Sequence, residues 1–183
     1  MAAKPQASAA MTNDSELAAR MRRLRDHAQQ GRHNHVEIGF NWRLDGFQGA
    51  VLSIKLAHLD VWNSRRRAIA TRYVQAFEGL QGARTLSTLP GCESSWHIFA
   101  LFHEQRDAFR SALEARGVQS GIHYPTPIHL QPAYADLGVK KGALPHSERA
   151  AATEISLPMF AELTDAQADE VIAAVKAVAT ELA

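Results

Sequence analysis

Two histidines, His33 and His35, stand two residues apart, a spacing that on an extended strand would turn both imidazoles to one face and toward one metal ion. A metal site needs further ligands, and no carboxylate or cysteine stands at ligand spacing from them, so the residues favour ordinary hydrogen-bonding loop histidines. The run Gly121-Ile122-His123-Tyr124-Pro125-Thr126-Pro127-Ile128-His129 places two imidazoles and a phenol on a proline-stiffened loop. Two readings stand side by side: these side chains hydrogen-bond a polyhydroxylated or phosphorylated ligand, or they satisfy backbone carbonyls in a structural turn. Asn41 and Arg43 flank Trp42 just before a predicted helix, where amide, guanidinium and free N–H groups can meet an anion. The residues alone favour a plainer arrangement, in which Asn41 caps a turn and Arg43 pairs with Asp45 or Glu37. Phosphate-loop, dinucleotide-binding and nucleophile-elbow motifs are all absent.

The elements that must position these groups follow from periodicity. Thr12, Asn13 and Asp14 offer N-cap oxygens ahead of Leu17, Met21 and Leu24, which predicts a helix running to about Gln30. A polar, histidine-rich loop follows Gly31. From Gly46 a helical pattern extends to Phe77, as one long helix or two joined by a bend near Asp60. Arg84–Leu89 and Trp96–Phe102 read as strands, Arg106–Leu113 as a helix stopped by Gly117, and Val118–Tyr124 as a third strand. Gln131–Leu137 reads as a short helix ended by Gly138, and Thr164 with Gln167 forms a capping box before the stripe Ala168, Val171, Ile172, Val175, Val178.

At 183 residues, with 46% hydrophobic and 21% charged side chains, the chain can bury a core. A formal charge of +1 supplies no global field for nucleic acid or an anionic membrane, and the runs Arg22-Arg23 and Arg65-Arg66-Arg67 read as solvated helix faces. One cysteine excludes an internal disulfide and suits a reducing cytoplasm, and no apolar stretch suggests a membrane span or export signal.

Taken in order, several short motifs resemble the DegT/DnrJ/StrS class of sugar aminotransferases. They are Met11-Thr12-Asn13-Asp14, Gly39-Phe40-Asn41-Trp42-Arg43-Leu44-Asp45, Lys55-Leu56 to Leu59-Asp60, Arg65-Arg66-Arg67, Gly121–Tyr124, Pro127-Ile128-His129-Leu130-Gln131-Pro132-Ala133-Tyr134 and Ser156-Leu157-Pro158-Met159 to Leu163-Thr164. The resemblance covers about residues 11–180 and implies an α/β protein, the C-terminal portion of a fold-type I transferase that uses pyridoxal 5'-phosphate (PLP). It implies a flexible leader over 1–10, a remnant of the cofactor-binding large domain over 11–60, and a small α/β domain over 61–183. It implies a dimer in which Asn41 reaches across to the PLP phosphate with Arg43 supporting its loop, while His123, Tyr124 and His129 lie on the substrate side. The reaction so implied carries an amino group from glutamate or glutamine to a keto group on a nucleotide-linked sugar.

That chemistry requires a lysine that forms a Schiff base with PLP and an acid that keeps the pyridine nitrogen protonated. In the class both belong to the half upstream of the Thr-Asn-Asp motif. Lys4 stands too close to Thr12, and Lys55, Lys140, Lys141 and Lys176 fall in expected helices or surface loops. The sequence therefore predicts a truncated aminotransferase, inactive without a separate lysine-bearing half and exposing apolar surface that favours association. The alternative is a non-catalytic binding or regulatory module that pairs with an intact aminotransferase.

Overall fold

The computed structural model describes residues 9–183, so Lys4 and most of the expected leader lie outside the described residues. The chain divides into two compact units, one ending at Leu59 and one running from Asp60 to Ala183.

In the first unit, Asp14 caps α1 (Ser15–Leu24) by accepting the N–H groups of Glu16 and Leu17 at 2.9 and 3.0 Å. The helix is shorter than its periodicity predicts because other partners take its last carbonyls. Leu24 O accepts from Phe40 N and Arg25 O from Trp42 N, and His27 and Ala28 turn to φ +58° and +52°. The returning segment is thereby laid across the end of α1. Helix α2 (Gly46–Leu56) buries none of its residues, and Phe47, Ile54 and Leu56 are each about seven-tenths exposed. The expected break falls at Ala57-His58, where His58 N–H closes a tight turn on Lys55 O.

The second unit is a three-stranded antiparallel sheet with helices against it. Strand β1 (Ala83–Thr85) pairs with β2 (Phe99–His103), and β2 with β3 (Glu154–Leu157) in the register Phe99 with Leu157 and Leu101 with Ile155. Helix α3 (Leu59–Phe77) buries Ile69, Ala70, Tyr73 and Phe77, a stripe at helical spacing. The rings of Tyr73 and Phe77 meet Phe99 edge-on at 5.0 and 6.3 Å, and Trp96 stacks on it at 5.3 Å. Helix α4 (Arg106–Glu114) contributes Phe109 and Leu113, and α6 (Asp165–Glu181) contributes Ala168, Val171, Val175 and Val178 behind the expected Thr164/Gln167 capping box. Helix α5 (Pro145–Thr153) runs directly into β3.

Three expectations change here. The strand expected over Arg84–Leu89 is only three residues long, since β1 finds partners only in Leu101–His103. The strand expected over Val118–Tyr124 is a single bridge between Gly121 and Ser156, because the next amide available for pairing, that of His123, goes to the Glu154 side chain. The Arg65–Arg67 run is not a bare solvated face. Arg65 bonds Leu163 O and Asp165, Arg66 bonds Ser95 O and Asn63, and Arg67 pairs with Glu93, so the run ties α3 to two loops.

Phe99→Ala should cost the second unit about 3–5 kcal/mol, as for other buried aromatics. Phe47→Ala, on the exposed face of α2, should stay within about 0.5 kcal/mol. Urea unfolding of the two variants checks the contrast.

Candidate functional site

The segment Gly39–Arg43 is built by a close backbone crossing. A Cβ at Gly39 would lie 2.3 Å from Ala28 N and 2.4 Å from the His27 carbonyl carbon, so only glycine lets this segment pass the end of α1. The crossing fixes Asn41 opposite Asp26 and stacks Phe40 on Trp42 at 4.0 Å. Arg43 Nε–H donates to Asn41 Oδ1 at 2.9 Å and stands 3.7 Å from Asp26 Oδ1. The pairing with Asp45 or Glu37 that the residues alone favoured does not form; Glu37 instead binds Arg20 at 2.9 Å. With its oxygen occupied, Asn41 has no acceptor for its Nδ2 donors among the described residues, nor has the Nη end of the three-fifths exposed Arg43 side chain. Two unspent donor groups on a fixed loop fit a phosphate. His33 and His35 have local duties: His35 Nδ1 bonds His27 O at 2.8 Å, and His33 sits in a positive-φ turn with its N–H on Gln29 Oε1.

In the second unit, His123 and Tyr124 adjoin, with rings edge-to-face at 5.2 Å across a cis peptide bond, and Tyr124 is 71% exposed. His123 is held by two residues absent from the sequence-derived candidates. Glu154 Oε2 accepts its backbone N–H at 2.7 Å, and its Nδ1 lies 2.8 Å from Ser156 Oγ, which in turn donates to Glu154 Oε1 at 2.5 Å. Glu154 and Ser156 are buried, while Ile155 and Leu157 between and beyond them belong to the core. The alternation Glu-Ile-Ser-Leu at strand period was the available signal. His123 and Ser156 line a cleft of about 680 Å³ walled by Gly117–Gly121 and Leu157–Phe160.

His129 sits elsewhere in the same unit, lining a smaller hollow of about 290 Å³ with Leu130, Gln131 and Lys140. Its Nε2 meets Glu148 Oε1 at 3.1 Å, and Glu148 also accepts the N–H groups of Gly142 and Leu144. Partial burial lifts the Glu148 carboxyl, but the bonds from His129, Gly142 and Leu144 outweigh it and hold it below the ordinary 4.5. Arg65 and Arg72 likewise hold Asp165, at the start of α6, below the usual carboxylate range. Among the lysines, Lys55 and Lys176 lie on exposed helix faces and Lys140 and Lys141 in an exposed turn.

This arrangement is the C-terminal portion of a fold-type I PLP-dependent transferase, and the chain belongs to the DegT/DnrJ/EryC1/StrS aminotransferase family, whose pattern matches residues 6–176. It is 45% identical over 168 residues to dTDP-3-amino-3,4,6-trideoxy-alpha-D-glucose transaminase of Streptomyces venezuelae, covering 92% of this chain and 44% of the relative. It is 38% identical over 164 residues to the Pleiotropic regulatory protein of Geobacillus stearothermophilus, covering 88% of this chain and 44% of that protein. The crystal structure of S. venezuelae DesV in complex with a ketimine intermediate superposes with a TM-score of 0.88 at 45% identity, covering 92% of this chain and 45% of that one. The chain thus spans about half the length of the curated relatives it matches. No helix among the described residues is long and apolar enough to cross a membrane.

Gly39→Ala should pry the crossing apart and raise amide exchange at Phe40 and Trp42, whose N–H groups bond Leu24 O and Arg25 O, while leaving the β2 amides protected. The Glu148 carboxyl titrates lower in the folded chain than the ordinary 4.5. Its contribution is therefore complete above about pH 4.5 and is lost as pH falls through the lowered folded value. Exchange protection at Gly142 and Leu144 should fall over that acid range, and Glu148→Ala should abolish it at every pH.

Proposed function

We propose that this chain supplies the C-terminal half of a PLP-dependent aminotransferase acting on nucleotide-linked keto sugars. The Schiff-base lysine comes from an N-terminal half outside this sequence, on the same polypeptide or on another. The observation that carries the proposal is the Asn41–Arg43 pair in a member of this family: a fixed loop with two unspent donor groups, of the chemistry that holds a phosphate. In this reading residues 11–60 belong to the large domain and 61–183 form the small one. Asn41 reaches across a dimer to the PLP phosphate, and Arg43 holds the Asn41 carbonyl so that Nδ2 faces the anion. PLP, when bound, supplies the electron sink for moving an amino group between an amino acid and a keto sugar. His123, Tyr124 and His129 are the proposed substrate-side groups, with an imidazole and a phenol able to bond sugar hydroxyls.

A second reading keeps the fold without the chemistry: a module that pairs with an intact aminotransferase. Two observations favour it, the apolar residues Phe47, Ile54 and Leu56 exposed on α2 and the regulatory name of the Geobacillus relative.

Mixing the full chain with the N-terminal half of the S. venezuelae relative separates the two. Under the first reading the mixture aminates a keto-sugar nucleotide with glutamate as donor, and neither half does so alone. Asn41→Ala in this chain then weakens PLP binding by about tenfold to a hundredfold, the equivalent of one hydrogen bond to a charged group. An inactive mixture that binds PLP equally well with Asn41→Ala supports the pairing module.

A further inference from the structure

Glu154 presents an unusual demand. Its carboxylate is buried on β3, and the groups bonded to it are the backbone N–H of His123 and the hydroxyl of Ser156. Ionised, a carboxylate only accepts, so the single hydroxyl proton of Ser156 is committed to Glu154 Oε1. Ser156 Oγ must then accept from its other neighbour, which is His123 Nδ1 at 2.8 Å. The chain of bonds therefore has one direction: Nδ1–H of His123 to Ser156, and Ser156 to Glu154. Gly121 leaves room for it, since a Cβ there would stand 3.3 Å from His123 Cε1.

We propose that Glu154 and Ser156 are positioning residues that lock His123 in the Nδ1–H form, so that Nε2 offers a lone pair to a hydroxyl of a polyhydroxylated ligand in the cleft. Nε2 makes no hydrogen bond among the described residues, and the exposed ring lines the cleft. An imidazole free to choose its tautomer would meet such a hydroxyl as donor or acceptor indifferently; this one accepts. Its donors are the hydroxyl or ammonium groups of the ligand, and a carboxylate or phosphate in the same place would be refused while the ring is neutral. The choice of ligand group rests on the sugar-aminotransferase reading, whereas the tautomer does not.

The test is a long-range 15N–1H correlation spectrum of the full, uniformly labelled chain at about pH 8.5, some two units above the ordinary imidazole pKa. No PLP, amino donor or sugar is added, so the result is independent of whether the chain takes part in amino transfer. His123 should show a protonated Nδ1 and a pyridine-type Nε2. Glu154→Gln is nearly isosteric and reverses the chain: its amide oxygen takes the His123 N–H, its NH2 donates to Ser156, and Ser156 donates to His123 Nδ1. The spectrum should then switch to a protonated Nε2. Ser156→Ala removes the acceptor and should move the signal the same way. A wild-type spectrum with protonated Nε2, or a Glu154→Gln spectrum unchanged from wild type, overturns the proposal.

Discussion

A carboxylate that is taken out of water has to be met by donors where it stands, and Glu154 is the place where this chain accepts that condition. Its backbone belongs to β3, whose Ile155 and Leu157 lock into the core beside Phe99 and Leu101, so the carboxylate cannot move to find partners. Partners have to be brought to it. The segment after α4 does this, bridging to β3 at Gly121 and delivering the His123 amide to one oxygen while Ser156 occupies the other. The hydrophobic register of a strand thus sets the position of an exposed imidazole, and packing and site chemistry are joined through one side chain.

The first unit solves a similar positioning problem with backbone alone. Leu24, Arg25 and His27 bond the returning strand-like segment, and Gly39 makes the crossing possible by having nothing to collide with. Arg43 then spends Nε on the Asn41 oxygen, and among the described residues its outer nitrogens and the Asn41 amide nitrogen remain as donors. Both candidate groups are consequently displayed on backbone tied down by hydrogen bonds, which suits a site that must meet a ligand in one geometry. The chain spans about half the length of the aminotransferases it matches, and the proposed function reads each of these displays in the light of that match.

Much of this was legible in the residues. The Thr164/Gln167 capping box and the α6 stripe were readable because both signals are local. So was the order of motifs from Thr12 to Pro158, which carried the family. What escaped was non-local. The stop of α1 at Leu24 depends on Phe40 and Trp42 competing for its carbonyls, a contact no window of periodicity contains. Residues Pro145–Leu157 change from helix to strand within one step, and the short alternation Glu-Ile-Ser-Leu is too brief to separate from a helix end. The roles of Glu154 and Ser156 therefore stayed hidden while His123 was visible, since an acid and a hydroxyl on a strand acquire meaning only when the 121–124 turn is folded against them. His129, which the resemblance places with His123 on the substrate side, bonds Glu148 and lines a different hollow, a partner no local window contains.

The proposed function gives this chain phosphate-holding and substrate-side groups of an aminotransferase and assigns the Schiff-base lysine elsewhere. Incubation of the full chain with equimolar PLP, borohydride reduction and peptide mass mapping tests it most directly. No stoichiometric modification is expected at Lys4, Lys55, Lys140, Lys141 or Lys176. Complete fixation of PLP on any one of them would contradict that assignment, because the chain would then hold the covalent centre itself.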